Sequence, residues 1–205
     1  MNPKTITALD ASPIITLDEC RKHCRITPDD DSPPAHPDDD LLLGYLAVAR
    51  EWVEGYSGYS LTPRTFEYAL DRFPTEEIKL PGAPIIAIVS VKYTDEDAVQ
   101  QTLAANQYVL DDFQEPAWLL PAVDVSWPGT LGVINAVLIR YSAGFSFRTD
   151  SPQSRPLPKV LKQSVLLLLG HLYENREQST EVSLNEIPIG VTSLCDFRRI
   201  RTGMA

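Results

Sequence analysis

The stretch PKVLKQSVLLLLGHLYENRE, residues 158–177, decides how the fold is read. Val165 to Leu169 are apolar without interruption, so a helix here carries apolar side chains on every side for more than one turn. Each Leu or Val withdrawn from water contributes roughly 1.5 to 3 kcal/mol. Because monomers rarely expose apolar patches of this size, we expect two different surfaces to cover this helix.

Helical signals also lie on both sides of a long middle segment. Thr16 and Glu19 have the spacing of a capping box, which predicts a helix over about residues 17–25. A second helix is predicted over about residues 41–58, and a third short one near the end, over 191–201. The apolar stripe of the second helix, which follows i, i+3, i+4 spacing, consists of Leu42, Tyr45, Leu46, Ala49, Trp52, Val53 and Tyr56.

The middle segment, residues 62–147, predicts strands. Short β-branched and aromatic runs are separated there by Pro, Gly and Asp, and no helical pattern intervenes, so we expect an antiparallel sheet or a small barrel. Asp95 to Asp97 lie between two alternating runs and predict a hairpin turn. The predicted strands are residues 64–73, 76–80, 85–95, 99–103, 108–112, 117–121 and 136–145.

Charge and composition narrow the class of protein. The net charge is -10, and the segment 28–40, PDDDSPPAHPDDD, carries six aspartates without a Lys or Arg. An acidic surface of this kind disfavours binding to nucleic-acid phosphates, but it suits a wall past which DNA slides without sticking. With three cysteines, no signal-peptide pattern and no run long enough to span a bilayer, we expect a soluble protein with free thiols.

Two groups of side chains are candidates for chemistry. Cys20, His23 and Cys24 lack the spacing of a zinc site and have no second pair, so we interpret the cysteines as core residues. His171 and Glu174 lie one turn apart, but the chain contains no nucleophile motif or phosphate-binding loop. We predict no catalytic residue, no metal site and no cofactor, and therefore not an enzyme.

The order and the residues of several segments resemble those of a known family, the head-tail connector (head-completion adaptor) proteins of long-tailed bacteriophages. The most specific segment is LPKVLKQSVLLLLGHLYENRE, a proline-initiated aliphatic helix closing in Tyr-Glu-Asn-Arg-Glu. The resemblance covers roughly residues 15–178, and the loop 28–37 looks like an insertion. The other segments that carry it are LDECRKHCRI, DDDLLLGYLAVAREWVEGYSG, LTPRTFEYALDRFP, LPGAPIIAIVSVKYTDEDAVQQTLAANQYVLDD and AVLIRYSAGF.

The resemblance implies an α+β fold, with a small helical bundle from the N- and C-terminal segments and an inserted antiparallel β subdomain. The corresponding boundaries are 1–60, 61–150 and 151–205 within one composite domain. It further implies a structural virion protein at the head-tail interface, assembled in the host cytoplasm. About a dozen copies would form a ring that binds the portal protein above it and the next neck or tail-completion protein below it. The ring would extend the DNA channel without binding DNA specifically, and no membrane would be involved.

Three sets of residues are predicted to serve this assembly. In a ring, one side of the aliphatic helix would pack on the Leu42 stripe, while the other would meet a neighbouring subunit or the β insertion. The predicted subunit interface is Val165, Leu166, Leu167, Leu169 and Tyr173. The predicted portal-docking residues are Arg198, Arg199 and Arg201. The predicted channel-facing acidic loop is Asp29, Asp30, Asp31, Asp38, Asp39 and Asp40.

Other interpretations remain open at this point. A stopper or tail-completion ring of the phage neck would share every feature above and differ only in its binding partner. A monomeric binding module would use Trp118 and Trp127 of the β insertion to stack a sugar or a peptide. A small hydrolase would use His171 and Glu174.

Overall fold

The computed structural model describes residues 4–8, 15–29, 35–145, 155–175 and 188–200. The chain forms two compact units. The helical unit comprises Ser12–Ser57 and Leu157–Arg199, and the β unit comprises Gly58–Pro156 together with the two ends of the chain. The fold is α+β, with a helical bundle built from the terminal segments and an antiparallel β insertion, as predicted.

Within the described residues, four α-helices form the helical unit. The capping box predicted for the first is present, because the Glu19 N–H donates to Thr16 Oγ1 (3.2 Å) and the Thr16 N–H donates to Glu19 Oε2 (3.0 Å). The long third helix begins directly after Pro158, which fits a position whose N–H has no helical partner. The helices are α1 (Leu17–His23), α2 (Asp39–Ser57), α3 (Lys159–Glu174) and α4 (Ile189–Asp196).

The aliphatic helix α3 is covered by the chain's own helices. It packs against α2 as predicted, and α1 and α4 also pack against it. Val165 and Leu169 are 0% exposed in the single chain, so no second subunit can reach them. The expectation that these two side chains meet a neighbouring subunit is therefore wrong, because α4 and α1 supply the additional cover within the helical unit.

In the part of the β unit that the structure describes, eight strands form two antiparallel sheets. The five-stranded sheet has the order β1-β2-β8-β4-β5, and the three-stranded sheet has the order β3-β7-β6. Every pairing is antiparallel, and β8 is the central strand of the larger sheet. The strands are β1 (Lys4–Ala8), β2 (Arg64–Leu70), β3 (Ile78–Leu80), β4 (Ile85–Thr94), β5 (Gln100–Leu103), β6 (Tyr108–Asp111), β7 (Ala117–Pro121) and β8 (Val137–Ala143).

All seven predicted strands are present, as β2 to β8. The hairpin predicted at Asp95 joins β4 to β5, and the Asp95 carboxylate accepts the N–H groups of Asp97 (3.1 Å) and Val99 (2.8 Å). The strand β1 was not predicted. It pairs with β2, so residues 4–8 belong to the β unit, although the sequence analysis placed residues 1–60 in the helical bundle.

The β unit is held by an apolar core and by one tight backbone approach. Tyr141 of β8 is fully buried, stacks on Phe66, and donates its hydroxyl to Pro81 O (2.8 Å), so its polar group has a partner. Gly144 follows β8 with a φ of +128°. A Cβ at this position would overlap with the backbone carbonyl of Thr62, so only glycine fits there.

Candidate functional site

The predicted subunit interface on α3 divides into buried and accessible parts. Val165 and Leu169 lie in the interior, whereas Leu166, Leu167 and Tyr173 are partly exposed. Within the predicted set, these three side chains are therefore the ones that a second molecule can contact.

Leu167 lies at a pocket of about 300 Å³ in the helical unit. The pocket wall combines apolar side chains with two imidazoles and one carboxylate. A Cβ on Gly170 would lie 3.1 Å from His23 Nε2, so the glycine allows the His23 ring to approach α3 closely. The lining residues are His23, Leu167, Gly170, His171, Glu174, Pro188, Gly190 and Val191.

The side chains considered for chemistry, His171 and Cys20 among them, lie in the helical unit. His171 Nδ1 lies 3.3 Å from Nδ2 of Asn175, which also donates to His171 O (2.9 Å), so the imidazole contacts the residue that ends α3. In the part of the chain that the structure describes, no three His, Cys, Asp or Glu side chains are grouped to hold a metal ion. Burial raises the pKa of the Cys20 thiol to about 11, which keeps it protonated at neutral pH.

Two of the predicted channel-facing aspartates bond within the helical unit. Asp39 pairs with Arg21 through a bidentate contact, in which the Arg21 Nε to Asp39 Oδ1 distance is 2.8 Å. Asp38 accepts the Tyr173 hydroxyl (2.6 Å), which links the start of α2 to α3. These two carboxylates therefore have structural partners. Asp29 and Asp40 are exposed, and Asp30 and Asp31 lie outside the described residues.

A third polar link joins α1 to α3. Lys162 Nζ donates to Glu19 Oε1 (2.5 Å). Burial alone would raise the pKa of the Glu19 carboxyl, but its hydrogen bonds with Lys162 and Thr16 outweigh that effect and lower it. Together with the pairs Arg21–Asp39 and Asp38–Tyr173, this contact fixes α1, α2 and α3 to one another through side chains that flank the apolar core.

The Arg21–Asp39 pair predicts a loss of stability in acid. Hydrogen bonding from Arg21 lowers the pKa of the Asp39 carboxyl, so the pair stabilises the folded state above the ordinary Asp pKa. This contribution is lost as the pH falls below about 4 and through the lowered value. In urea titrations at several pH values, Asp39→Asn should flatten the acid limb of the unfolding free energy.

The matched control for this titration is Asp40→Asn, because Asp40 is the exposed neighbour of Asp39 on the same helix. It should leave the acid limb as steep as in the unsubstituted protein. Equal slopes for Asp39→Asn and the unsubstituted protein would show that the Arg21–Asp39 pair does not contribute to the pH dependence.

The C-terminal arginines differ in their surroundings. The Arg199 guanidinium lies 4.6 Å from the centroid of the Tyr56 ring, and Nη1 lies 3.9 Å from Asp196 Oδ1. Tyr56 donates its hydroxyl to Asp196 (2.9 Å), so Arg199 joins a small cluster between α2 and the end of α4. Arg198 is exposed, whereas Arg201 lies outside the described residues.

The two tryptophans considered for ligand stacking have different roles in the β unit. Trp127 stacks on Phe73 with a centroid distance of 4.7 Å and packs against the core, so its ring is engaged within the chain. Trp118 is partly exposed on β7, with Lys79 Nζ 5.8 Å from its ring centroid. Of the two tryptophans considered for stacking a ligand, Trp127 is therefore already packed within the chain, and Trp118 is the accessible one.

One exposed feature was missed by the sequence analysis. Phe113, in the turn between β6 and β7, is 99% exposed. Its N–H donates to Asp111 Oδ1 (3.0 Å), which fixes the turn. The available signal was an aromatic residue inside DDFQEP, a short acidic and proline-containing segment between two predicted strands.

The comparison with protein families confirms the predicted resemblance. Residues 14–113 match the family described as phage gp6-like head-tail connector proteins. This match contains α1, α2 and most of the β unit, and the family is one of structural connectors. A search of curated protein sequences finds no match. Among the described residues, no helix has the length and apolar character required to cross a bilayer.

Solved structures extend the similarity over the whole chain. The chain is 26% identical to a protein from the neck of an empty gene transfer agent (GTA) particle computed with C6 symmetry, with a TM-score of 0.72 over 100% of this chain and 98% of that one. The neck of a native GTA particle computed with C12 symmetry gives 25% identity and a TM-score of 0.69, again over 100% and 98%. A protein from the virion of a native GTA particle is 25% identical to this chain, with a TM-score of 0.71 over 96% of each chain.

Proposed function

We propose that this protein is a head-tail connector of a virion neck, which forms a ring below the portal, extends the DNA channel and joins the head to the tail. The observation that supports this most strongly is the similarity over the full chain to neck proteins of GTA particles computed with C6 and C12 symmetry. In such a neck the chain has no substrate, and its function is assembly. The protein would be present in the host cytoplasm during assembly and would remain in the finished virion.

The exposed residues of the helical unit suggest how the ring is built. A closed ring uses a heterologous interface, in which one surface of a subunit meets a different surface of the next. Leu166, Leu167 and Tyr173 form the part of the proposed subunit interface on α3 that is accessible. Arg198 is proposed to dock on acidic groups of the portal through its guanidinium.

The acidic character of the chain fits a position around the DNA channel. The net charge of -10 opposes attachment to the phosphate backbone, which requires clustered Lys and Arg. We propose that Asp29 and Asp40, which are exposed, face the channel and keep the passing duplex from sticking.

The first test of ring formation is the absolute mass of the protein over a wide concentration range, measured by light scattering and accompanied by negative-stain images. We expect a closed species of about twelve times the chain mass of 22.8 kDa, either alone or after mixing with the portal protein. A strict monomer under both conditions would contradict the proposed ring.

The position in the neck is tested by the binding partner. An adaptor binds the portal, whereas a stopper or tail-completion ring binds a neighbouring neck protein and not the portal. Arg198→Ala should weaken portal binding, and Arg72→Ala, at another exposed arginine, should not. Equal portal binding by both variants would remove Arg198 from the docking surface.

A further inference from the structure

Phe113 is presented to solvent by a turn that is fixed on both sides. The Asp111 carboxylate accepts the Phe113 N–H (3.0 Å) and the Gln114 side chain (3.3 Å). Arg155 donates to Asp112 Oδ2 (2.8 Å) and lies 3.6 Å from Glu115 Oε1. The backbone of this turn is therefore held in place by side-chain contacts while its central aromatic ring remains outside the fold.

A fixed and exposed aromatic ring has the properties of a binding anchor. Single exposed apolar residues are common on protein surfaces and need no explanation by themselves. In this turn, however, the conformation is already set before any partner arrives, so little ordering entropy is lost when the ring is buried. Aromatic side chains that enter a pocket are the usual dominant contacts of protein interfaces.

The pocket on the helical unit matches such a ring in size and chemistry. Its volume of about 300 Å³ accommodates a phenyl group, and Leu167 and Val191 supply apolar walls. The imidazoles of His23 and His171 and the carboxylate of Glu174 also line it. Imidazole N–H groups can donate to carboxylates, and those of Asp111, Asp112 and Glu115, which flank Phe113, each have acceptor sites beyond the contacts that fix the turn.

We propose that Phe113 of one subunit inserts into the Leu167 pocket of a second copy of this chain. The projecting ring is on the β unit and the pocket is on the helical unit, so each copy carries both halves of the contact on different surfaces. Repetition of such a contact is head-to-tail, which is the arrangement that closes a ring. This inference rests on the proposed ring and assigns its subunit contact, since Leu167 is one of the accessible residues of α3 at the proposed interface.

Cross-linking between two variants of the full chain tests the contact directly. Both variants carry Cys24→Ser, because Cys20 and Cys195 are buried and Cys24 is partly exposed. One also carries Gln114→Cys, which keeps the neighbouring Phe113 ring, and the other carries Glu174→Cys, at an exposed residue of the pocket wall. The mixture is treated with a short bismaleimide. We expect a covalent dimer, well above the amount formed when Val123→Cys replaces Gln114→Cys. Val123 is the matched control, because it is 88% exposed in the same unit.

Two results would overturn the inserted-ring contact. One is a dimer yield from Gln114→Cys no greater than that from Val123→Cys. The other is a cross-link that forms only within one chain when both cysteines are on the same molecule, because the ring would then fill its own pocket. The cross-link reports the contact itself, so it decides this inference even if the mass measurement finds no ring.

Removing the phenyl group of Phe113 measures how much the contact contributes to assembly. Phe113→Ala should raise the concentration at the midpoint of assembly by about 30-fold, the size expected when a dominant interface residue is removed. Val123→Ala should leave the midpoint unchanged. If the unsubstituted protein forms rings and Phe113→Ala assembles equally well, the proposed function stands and the Phe113 contact is wrong.

Discussion

Replacing Val165 with aspartate is expected to unfold the helical unit. Val165 is 0% exposed and is enclosed by helices of its own chain, so the substitution places an unpaired carboxylate in an apolar core. The lost burial and the desolvation of the new charge together cost about 4 kcal/mol or more, which is a large part of the usual stability of about 5 to 15 kcal/mol. Urea titration followed by far-UV circular dichroism should show loss of the helical signal at much lower urea.

The matched control for Val165→Asp is Gln163→Asp, because Gln163 is exposed on the same helix. It introduces the same side chain without burying it, and the stability should change by less than about 0.5 kcal/mol. A Val165→Asp protein of normal stability that fails to assemble would contradict the structure, since it would return Val165 to a subunit interface.

Replacing Gly144 with alanine is expected to disrupt the β unit. The φ of +128° is disfavoured for a residue with a Cβ, and that Cβ would overlap with the carbonyl of Thr62 and lie 2.8 Å from Pro63 N. Because the clash is with backbone, no side-chain rotation relieves it. We expect a loss of about 3 kcal/mol or more in unfolding free energy, measured by urea titration with tryptophan fluorescence.

The same substitution at Gly44 should have the opposite sign. Gly44 lies inside α2, and a Cβ there would meet nothing within 4 Å. Alanine favours a helix over glycine by roughly 0.5 to 1 kcal/mol, so Gly44→Ala should stabilise the helical unit. If Gly144→Ala did not lower the unfolding free energy, the close contact between Gly144 and the Thr62 carbonyl would be incorrect.

The elements of this fold were largely readable from the sequence because their patterns are local. The seven strands from β2 to β8 follow β-branched and aromatic runs with turn residues between them, and the capping box at Thr16 is a four-residue signal. The strand β1 was missed because KTITA is short and precedes a helical segment. Its partner, β2, is distant in sequence, and strand pairing over such a distance carries no local pattern.

The packing of α3 shows what the apolar pattern of a helix can predict and what it cannot. The apolar run correctly predicted that more than one surface packs on this helix. It did not identify the second surface, because α4 is a short helix whose buried residues, Val191 and Cys195, are too few to give a strong periodic signal. The sequence therefore suggested a neighbouring subunit for Val165 and Leu169, where the chain supplies its own helices.

The polar part of the candidate site could not be predicted from composition. The aspartates of segment 28–40 look alike in the sequence, but Asp39 pairs with Arg21 and Asp38 with Tyr173, across contacts that exist only after folding. Phe113 and the Leu167 pocket were missed for the same reason. An exposed ring and a cavity are properties of packing, and both depend on which neighbours are absent around a side chain.

The place of β8 in the larger sheet has a consequence for the synthesis of the protein. β8 joins β2 to β4, yet among the described strands it is the last to leave the ribosome, so the larger sheet stays open until residue 143 has emerged. The apolar stripe of α2 likewise waits for α3, which is made later still. Unpaired strand edges and uncovered apolar surface promote aggregation. We therefore expect the nascent chain to depend on host chaperones and the yield of folded protein to fall when these chaperones are depleted.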